Sequence, residues 1–138
     1  MAVLLAGPLQ AVLSVSRRDR GPVAVPISYH FADGVFYMIT SPDSLHGRLM
    51  SRDGRATVTV QFDECDGRTV HQWYVHAEGP VRFTELDPKP HVEIMLVKDR
   101  GEARMHEWRA ANPSADMRVA VLEPEQISGY EFRESLDS

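Results

Sequence analysis

The chain lacks most of the signals that name a chemistry at sight. It holds one cysteine, Cys65, in 138 residues. An intrachain disulfide is therefore excluded, and the acidic loop Asp63-Glu64-Cys65-Asp66 offers no cation to stabilise a reactive thiolate. No run approaches the ~18 apolar residues of a spanning helix. Positive charge is not in excess: 15 Lys and Arg against 20 Asp and Glu leave a formal net charge of −5, which argues against a nucleic-acid or membrane partner. Six histidines are present, but there is no HExxH and no pair at i, i+4. His71 and His76 are five apart on a predicted strand and so face opposite ways, while His30, His91 and His106 lie far apart in the chain. No metal site is expected. Ser14, Ser16 and Ser28 lack the GxSxG elbow of a serine hydrolase. The start of the chain, Met1 to Gly7, is apolar but has no basic flank and is broken at Gly7-Pro8, so it reads as a short helix or arm. The cytoplasm is the expected location.

What is present is an ordinary globular composition, 43% hydrophobic and 25% charged, of a length that suits a single domain over 1–138. Period-two alternation dominates it. Leu9, Ala11, Leu13 and Val15 alternate with polar or small residues, and Val23, Val25, Ile27, Tyr29 and Phe31 do the same after the polar turn at 17–22. Ala32-Asp33-Gly34 is a further turn. It leads into Val35-Phe36-Tyr37-Met38-Ile39-Thr40, apolar enough for a central strand. Ser41 or Asp43 is placed to cap a helix, with Pro42 at its first position, Leu45 and Leu49 on one face and Gly54 at its end. A strand follows at 55–62, and 69–84 form a long strand pair or one bent strand, with the bulge or bend at Gly79-Pro80. Helical spacing returns at Val92, Met95 and Leu96 and stops at Gly101. A second short helix is expected at 102–111, making a helical insert of about 87–112. Strands near 117–121 and 127–133 close the chain. The fold class predicted is mainly β: a six-stranded antiparallel barrel with short helices.

Two stretches could carry chemistry. In Thr40-Ser41-Pro42-Asp43-Ser44-Leu45-His46-Gly47-Arg48 a strand ends in hydroxyl residues and feeds a helix N-terminus, where free amides and the helix dipole favour an anion. Thr40, Ser41 and Ser44 add hydroxyls, and His46, Arg48, Arg52 and Arg55 add basic groups; the plain alternative is a capped helix with solvated arginines. In Val25-Pro26-Ile27-Ser28 the proline marks an edge, where backbone groups could meet the polar rim of a flat heterocycle or simply face water. Further on, Gln72, Tyr74, His76 and Glu78 share one polar face of a long strand, which must meet water, a partner subunit or a ligand.

In order and spacing these pieces resemble the pyridoxamine 5′-phosphate oxidase-like, flavin- and deazaflavin-binding split-barrel superfamily. The resemblance runs through Leu13-Ser14-Val15, Gly21 to Phe31, Val35 to Pro42, Arg48, Arg52 to Val58, Tyr74 to Gly79 and Arg118 to Tyr130, nearly the whole chain. It implies a homodimer with cofactor sites at the interface. Pro26, Ile27 and Ser28 would lie along the cofactor ring. Thr40, Ser41, Ser44, His46 and Arg48 would hold its phosphate, and Gln72 and Trp73 would approach from the partner subunit. Relatives carry lysine where His46 stands and often arginine where Ser44 stands, so phosphate is expected to be held more weakly here. The implied cofactor is FMN or the deazaflavin coenzyme F420, and the implied activity is hydride transfer to a small-molecule acceptor. The alternative is a non-catalytic flavin or haem carrier or sensor on the same scaffold.

Overall fold

The computed structural model describes residues 10–99 and 116–135. The expected N-terminal arm and the expected helix at 102–111 lie outside them. The elements are β1 (Ala11–Arg17), β2 (Arg20–Ile27), β3 (Tyr29–Ala32), β4 (Val35–Thr40), α1 (Leu45–Asp53), β5 (Arg55–Asp66), β6 (Thr69–Phe83), α2 (Pro88–Asp99), β7 (Arg118–Leu122) and β8 (Gln126–Ser135). All strand pairs are antiparallel. No helix among the described residues is long and apolar enough to cross a membrane.

Local chemistry sets the turns. At the β3–β4 hairpin Asp33 and Gly34 both take positive φ, 54° and 77°, the pair of left-handed residues that a two-residue hairpin requires. The strand order is β2-β1-β5-β6-β7-β4-β3, with β8 beside β6. Its two ends, β2 and β3, are joined in the chain by the single residue Ser28, so the sheet curls back on itself as a barrel.

Eight strands stand where six were expected. One cause is Ser28. The alternation from Val23 to Phe31 is unbroken, because inward and outward faces continue through the bend, but the hydrogen-bonding partner changes. Ile27 pairs with Ala11 of β1, while Tyr29 pairs with Met38 of β4. The long strand β6 is likewise shared. Its whole length up to Pro80 faces β5; on its other side Thr69 to Glu78 pair with β8, and Val81 to Phe83 pair with β7. The expected irregularity at Gly79-Pro80 is this exchange of partners. A Cβ on Gly79 would overlap the Glu123 carbonyl oxygen, so only glycine lets the two backbones approach there.

Two apolar clusters result. Leu13, Val15, Tyr29, Phe36, Met38, Val58, Val60 and Leu122 fill the barrel interior, each of the larger side chains contributing about 1.5–3 kcal/mol on burial. Ile39, Val119 and Val121 lie on the opposite face of the sheet and pack under Met95 of α2. That second layer explains why β4 is apolar almost throughout: both of its faces are covered.

Candidate functional site

The turn before α1 is a closed knot of hydrogen bonds. Ser44 is the N-cap, with φ −65° and ψ 162°, and its Oγ accepts from the Gly47 amide at 3.0 Å. This corrects the expectation of a cap at Ser41 or Asp43 with Pro42 inside the helix. Residues 41–44 form a turn of their own first, in which the Ser41 carbonyl accepts from both the Ser44 amide, at 3.2 Å, and the Ser44 hydroxyl, at 2.7 Å. The Ser41 Oγ accepts from the Asp43 amide at 3.2 Å. Thr40, 7% exposed, places its Oγ1 2.6 Å from His46 Nε2, which also lies 3.3 Å from Ser44 Oγ. Burial pushes the His46 imidazole below its ordinary pKa, so the ring is neutral at neutral pH. At the far end of the helix, Gly54 takes φ 67° and its amide closes on Met50, as expected.

The hydroxyls proposed from sequence as anion ligands are thus brought together, and they bond to the His46 ring and to backbone groups of the turn. The basic residues are dispersed. Arg52 donates to the Ser16 carbonyl at 3.0 Å and pairs with Asp53 at 2.7 Å. Arg55 pairs with Glu125 at 2.7 Å. Arg48 is exposed on α1.

Pro26, Ile27 and Ser28 lie at the end of β2. Ile27 is buried against Ala11, Pro26 is exposed opposite Val12, and Ser28 is the half-buried junction with β3. β2 is an edge of the strand path, as the proline indicated.

The third place is a cleft of about 450 Å³ on the outward face of β5, β6 and β8, lined by Thr59, Gln61, Asp63, Gln72, Tyr74, His76 and Tyr130 and bordered by Phe62 and Trp73. The Tyr74 and Tyr130 rings stack with centroids 6.1 Å apart, and both are well exposed, at 41% and 56%. His76 Nδ1 meets Thr59 Oγ1 at 2.8 Å, and the Gln72 amide donates to Asp63 at 3.1 Å. Gln72 faces this cleft. The Trp73 side chain instead turns into the core and stacks on Phe62, with centroids 5.8 Å apart. Sequence reading named the β6 side of the cleft. It passed over Thr59, Gln61 and Tyr130. The local β5–β6 hairpin register could have found Thr59, opposite His76, and Gln61, opposite Tyr74, whereas Tyr130 meets Tyr74 only through the long-range β6–β8 pairing.

The cleft shares no lining residue with the turn at 40–48 or with residues 26–28. Its apolar walls with a few polar groups suit a flat heterocycle.

No protein-family profile matches the chain, and no curated protein sequence matches it significantly. Solved structures do. A FAD-binding protein from Mesorhizobium loti aligns over 95% of this chain and 91% of its own, at 20% identity and a TM-score of 0.66. A Listeria innocua protein described as a pyridoxamine 5′-phosphate oxidase aligns over 92% and 91%, at 17% identity and a TM-score of 0.63. A haem-binding protein from Mycobacterium smegmatis aligns over 96% of this chain and 55% of its own, at 15% identity and a TM-score of 0.62. At these identities the likeness establishes architecture: the chain has the split β-barrel fold seen in FAD-binding and pyridoxamine 5′-phosphate oxidase-like proteins.

Proposed function

We propose that this chain binds FMN or the deazaflavin coenzyme between two copies of itself and acts as an oxidoreductase toward a small-molecule acceptor. The observation that carries this reading is the outward cleft on β5, β6 and β8, with two stacked tyrosines and the Gln61 and Gln72 amides along one open wall. An apolar, aromatic floor takes the face of a tricyclic ring, and side-chain amides match its polar rim. The cleft lies on one side of the sheet, and among the described residues nothing lines it from the opposite side; a second copy would supply that wall. Residues 26–28 and the turn at 40–48 would then come from the partner chain, with Ser41, Ser44, His46 and Arg48 toward the cofactor's phosphate. The bound cofactor would supply the hydride chemistry, while the protein holds and orients it.

A second reading has its own support. The knot at Thr40, Ser44 and His46 satisfies its own hydrogen bonds and carries no formal charge on its imidazole at neutral pH. A carrier of haem on this scaffold would need no phosphate cradle there, and a haem-binding protein is among the similar structures.

One measurement separates these readings. The purified protein is titrated with FMN, with the deazaflavin coenzyme and with haem, following each visible band and the thermal midpoint. A flavin-type or deazaflavin-type spectrum with a raised midpoint supports the first reading, and a Soret band supports the second. If the midpoint moves with none of the three, both readings fail, since a ligand of the native state must stabilise it.

A further inference from the structure

We propose that the polar pocket between β1, β5 and the end of α1 binds a small phosphorylated polyol, a ligand of the sugar-phosphate class. The pocket encloses about 580 Å³, within the usual range for a small-molecule site. Arg52 and Arg55, which the turn at 40–48 leaves aside, meet there with the hydroxyls of Ser14, Ser16 and Thr57 and the Glu78 carboxylate. The pocket shares no lining residue with the aromatic cleft or with that turn, so it is a site separate from the proposed cofactor's.

Both guanidinium groups are fixed with donors to spare. Arg52 donates from Nε to Asp53 at 2.7 Å and from a terminal nitrogen to the Ser16 carbonyl at 3.0 Å. Arg55 meets the Glu125 carboxylate with both terminal nitrogens, at 2.7 and 3.3 Å. A guanidinium has more N–H groups than these bonds use, so each arginine keeps donors that are in place before a ligand arrives. Arg18 of the β1–β2 turn is near enough to act on the Asp53 carboxylate. Ser14 and Thr57 sit opposite each other on β1 and β5. Among the described residues the hydroxyls of Ser14, Ser16 and Thr57 make no hydrogen bond to the protein. The Glu78 carboxylate, opposite Thr57, makes no hydrogen bond or ion pair there and acts on Arg55 only at a distance.

This inventory selects the ligand. Spare guanidinium N–H groups and open hydroxyls suit an oxyanion with several acceptor oxygens, as a phosphate has. A bare anion would leave Glu78 facing like charge. Hydroxyl groups on the ligand answer it, since a carboxylate only accepts. No aromatic ring stands among the described lining residues, so the pocket offers no platform for a base or a flavin ring. A phosphate joined to a short hydroxylated chain meets every group present.

The test uses the full chain in phosphate-free buffer at neutral pH, with sorbitol 6-phosphate as the probe and inorganic phosphate and sorbitol as its two halves. At about ten times its dissociation constant the probe is expected to raise the thermal midpoint by roughly 5 °C. Inorganic phosphate should raise it less, and sorbitol not at all. In calorimetric titration Arg52→Gln and Arg55→Gln should each weaken the probe about tenfold, the worth of a charged hydrogen bond. Arg55 and Glu125 pair on the surface, with more than half of each side chain exposed, so Arg55→Gln leaves the fold intact. Glu78→Gln should reduce the probe's advantage over inorganic phosphate, because an amide no longer repels a bare anion. A midpoint unmoved by both phosphate compounds overturns the proposal. So does an equal response in the parent and Arg55→Gln. If FMN displaces the probe and loses as much affinity to Arg55→Gln, the pocket holds the cofactor's own phosphate, and the separate site is overturned.

Discussion

The turn at 40–48 and the cleft on β5, β6 and β8 are both rich in polar side chains, and they are built in opposite ways. In the turn nearly every hydroxyl already has a partner within the turn: Ser44 caps Gly47, Ser41 serves Asp43, and Thr40 meets His46. In the cleft the aromatic rings of Tyr74 and Tyr130 stand exposed and the polar groups line an open wall. The difference teaches which polar cluster is architecture and which is available. Self-satisfied groups stabilise a turn and have little left to offer a ligand. The cleft's polar groups pair as well, Thr59 with His76 and Gln72 with Asp63. What stands open there is the aromatic surface of Tyr74 and Tyr130, which contributes little to stability and can bind.

The sharpest way to break that comparison is to disrupt the knot sterically. Gly47 packs so closely that a Cβ would overlap the Ser41 carbonyl oxygen. Gly47→Ala is expected to destabilise the fold by about 3 kcal/mol through displaced backbone, read as a lowered urea midpoint. An unchanged midpoint would mean that the turn yields easily and is no scaffold. The complementary substitutions lie in the cleft. Tyr74→Ala and Tyr130→Ala should each change stability by less than about 0.5 kcal/mol, as exposed positions do. Each should weaken binding of the spectroscopically identified cofactor by about tenfold, the worth of one aromatic contact. If stability falls and affinity holds, the assignment of roles is reversed. In between stands the cap: Ser44→Ala should cost about 1 kcal/mol, and Ser44→Asp should restore it without needing any ligand.

How much of this was legible beforehand follows from what each signal measures. Alternation reports which face a residue takes, so Leu13, Val15, Val58 and Val60 are core in the sequence and core in the fold. It does not report which strand is the neighbour. The exchange of partners at Ser28, which divides one apparent strand into β2 and β3, therefore left no trace in the pattern. Cap chemistry is local, yet Ser41, Asp43 and Ser44 are all competent caps, and the choice fell to the turn hydrogen bonds that end on the Ser41 carbonyl. Tyr130 escaped notice because its place in the cleft depends on β8 lying beside β6, a pairing across more than 50 residues.

The smallest effect concerns protons at the knot, and its sign is determined. Burial lowers the folded-state pKa of His46 from its ordinary 6.5, so the folded chain prefers the neutral ring that meets Thr40 and Ser44. The associated stability is present in full above the unfolded-state value and is lost as the pH falls through the lower, folded-state one. Because the ring is partly exposed, solvent screens the effect. Between pH 7.5 and pH 5.5 the thermal midpoint of the parent should therefore fall only slightly, by less than about 2 °C more than that of His46→Gln. His46→Lys carries a permanent charge into the same place. If the turn is architecture alone, the lysine costs stability at neutral pH and leaves FMN affinity unchanged. If the cofactor's phosphate sits there, the lysine raises FMN affinity severalfold, and that affinity becomes independent of pH where the parent's rises as the imidazole gains its proton.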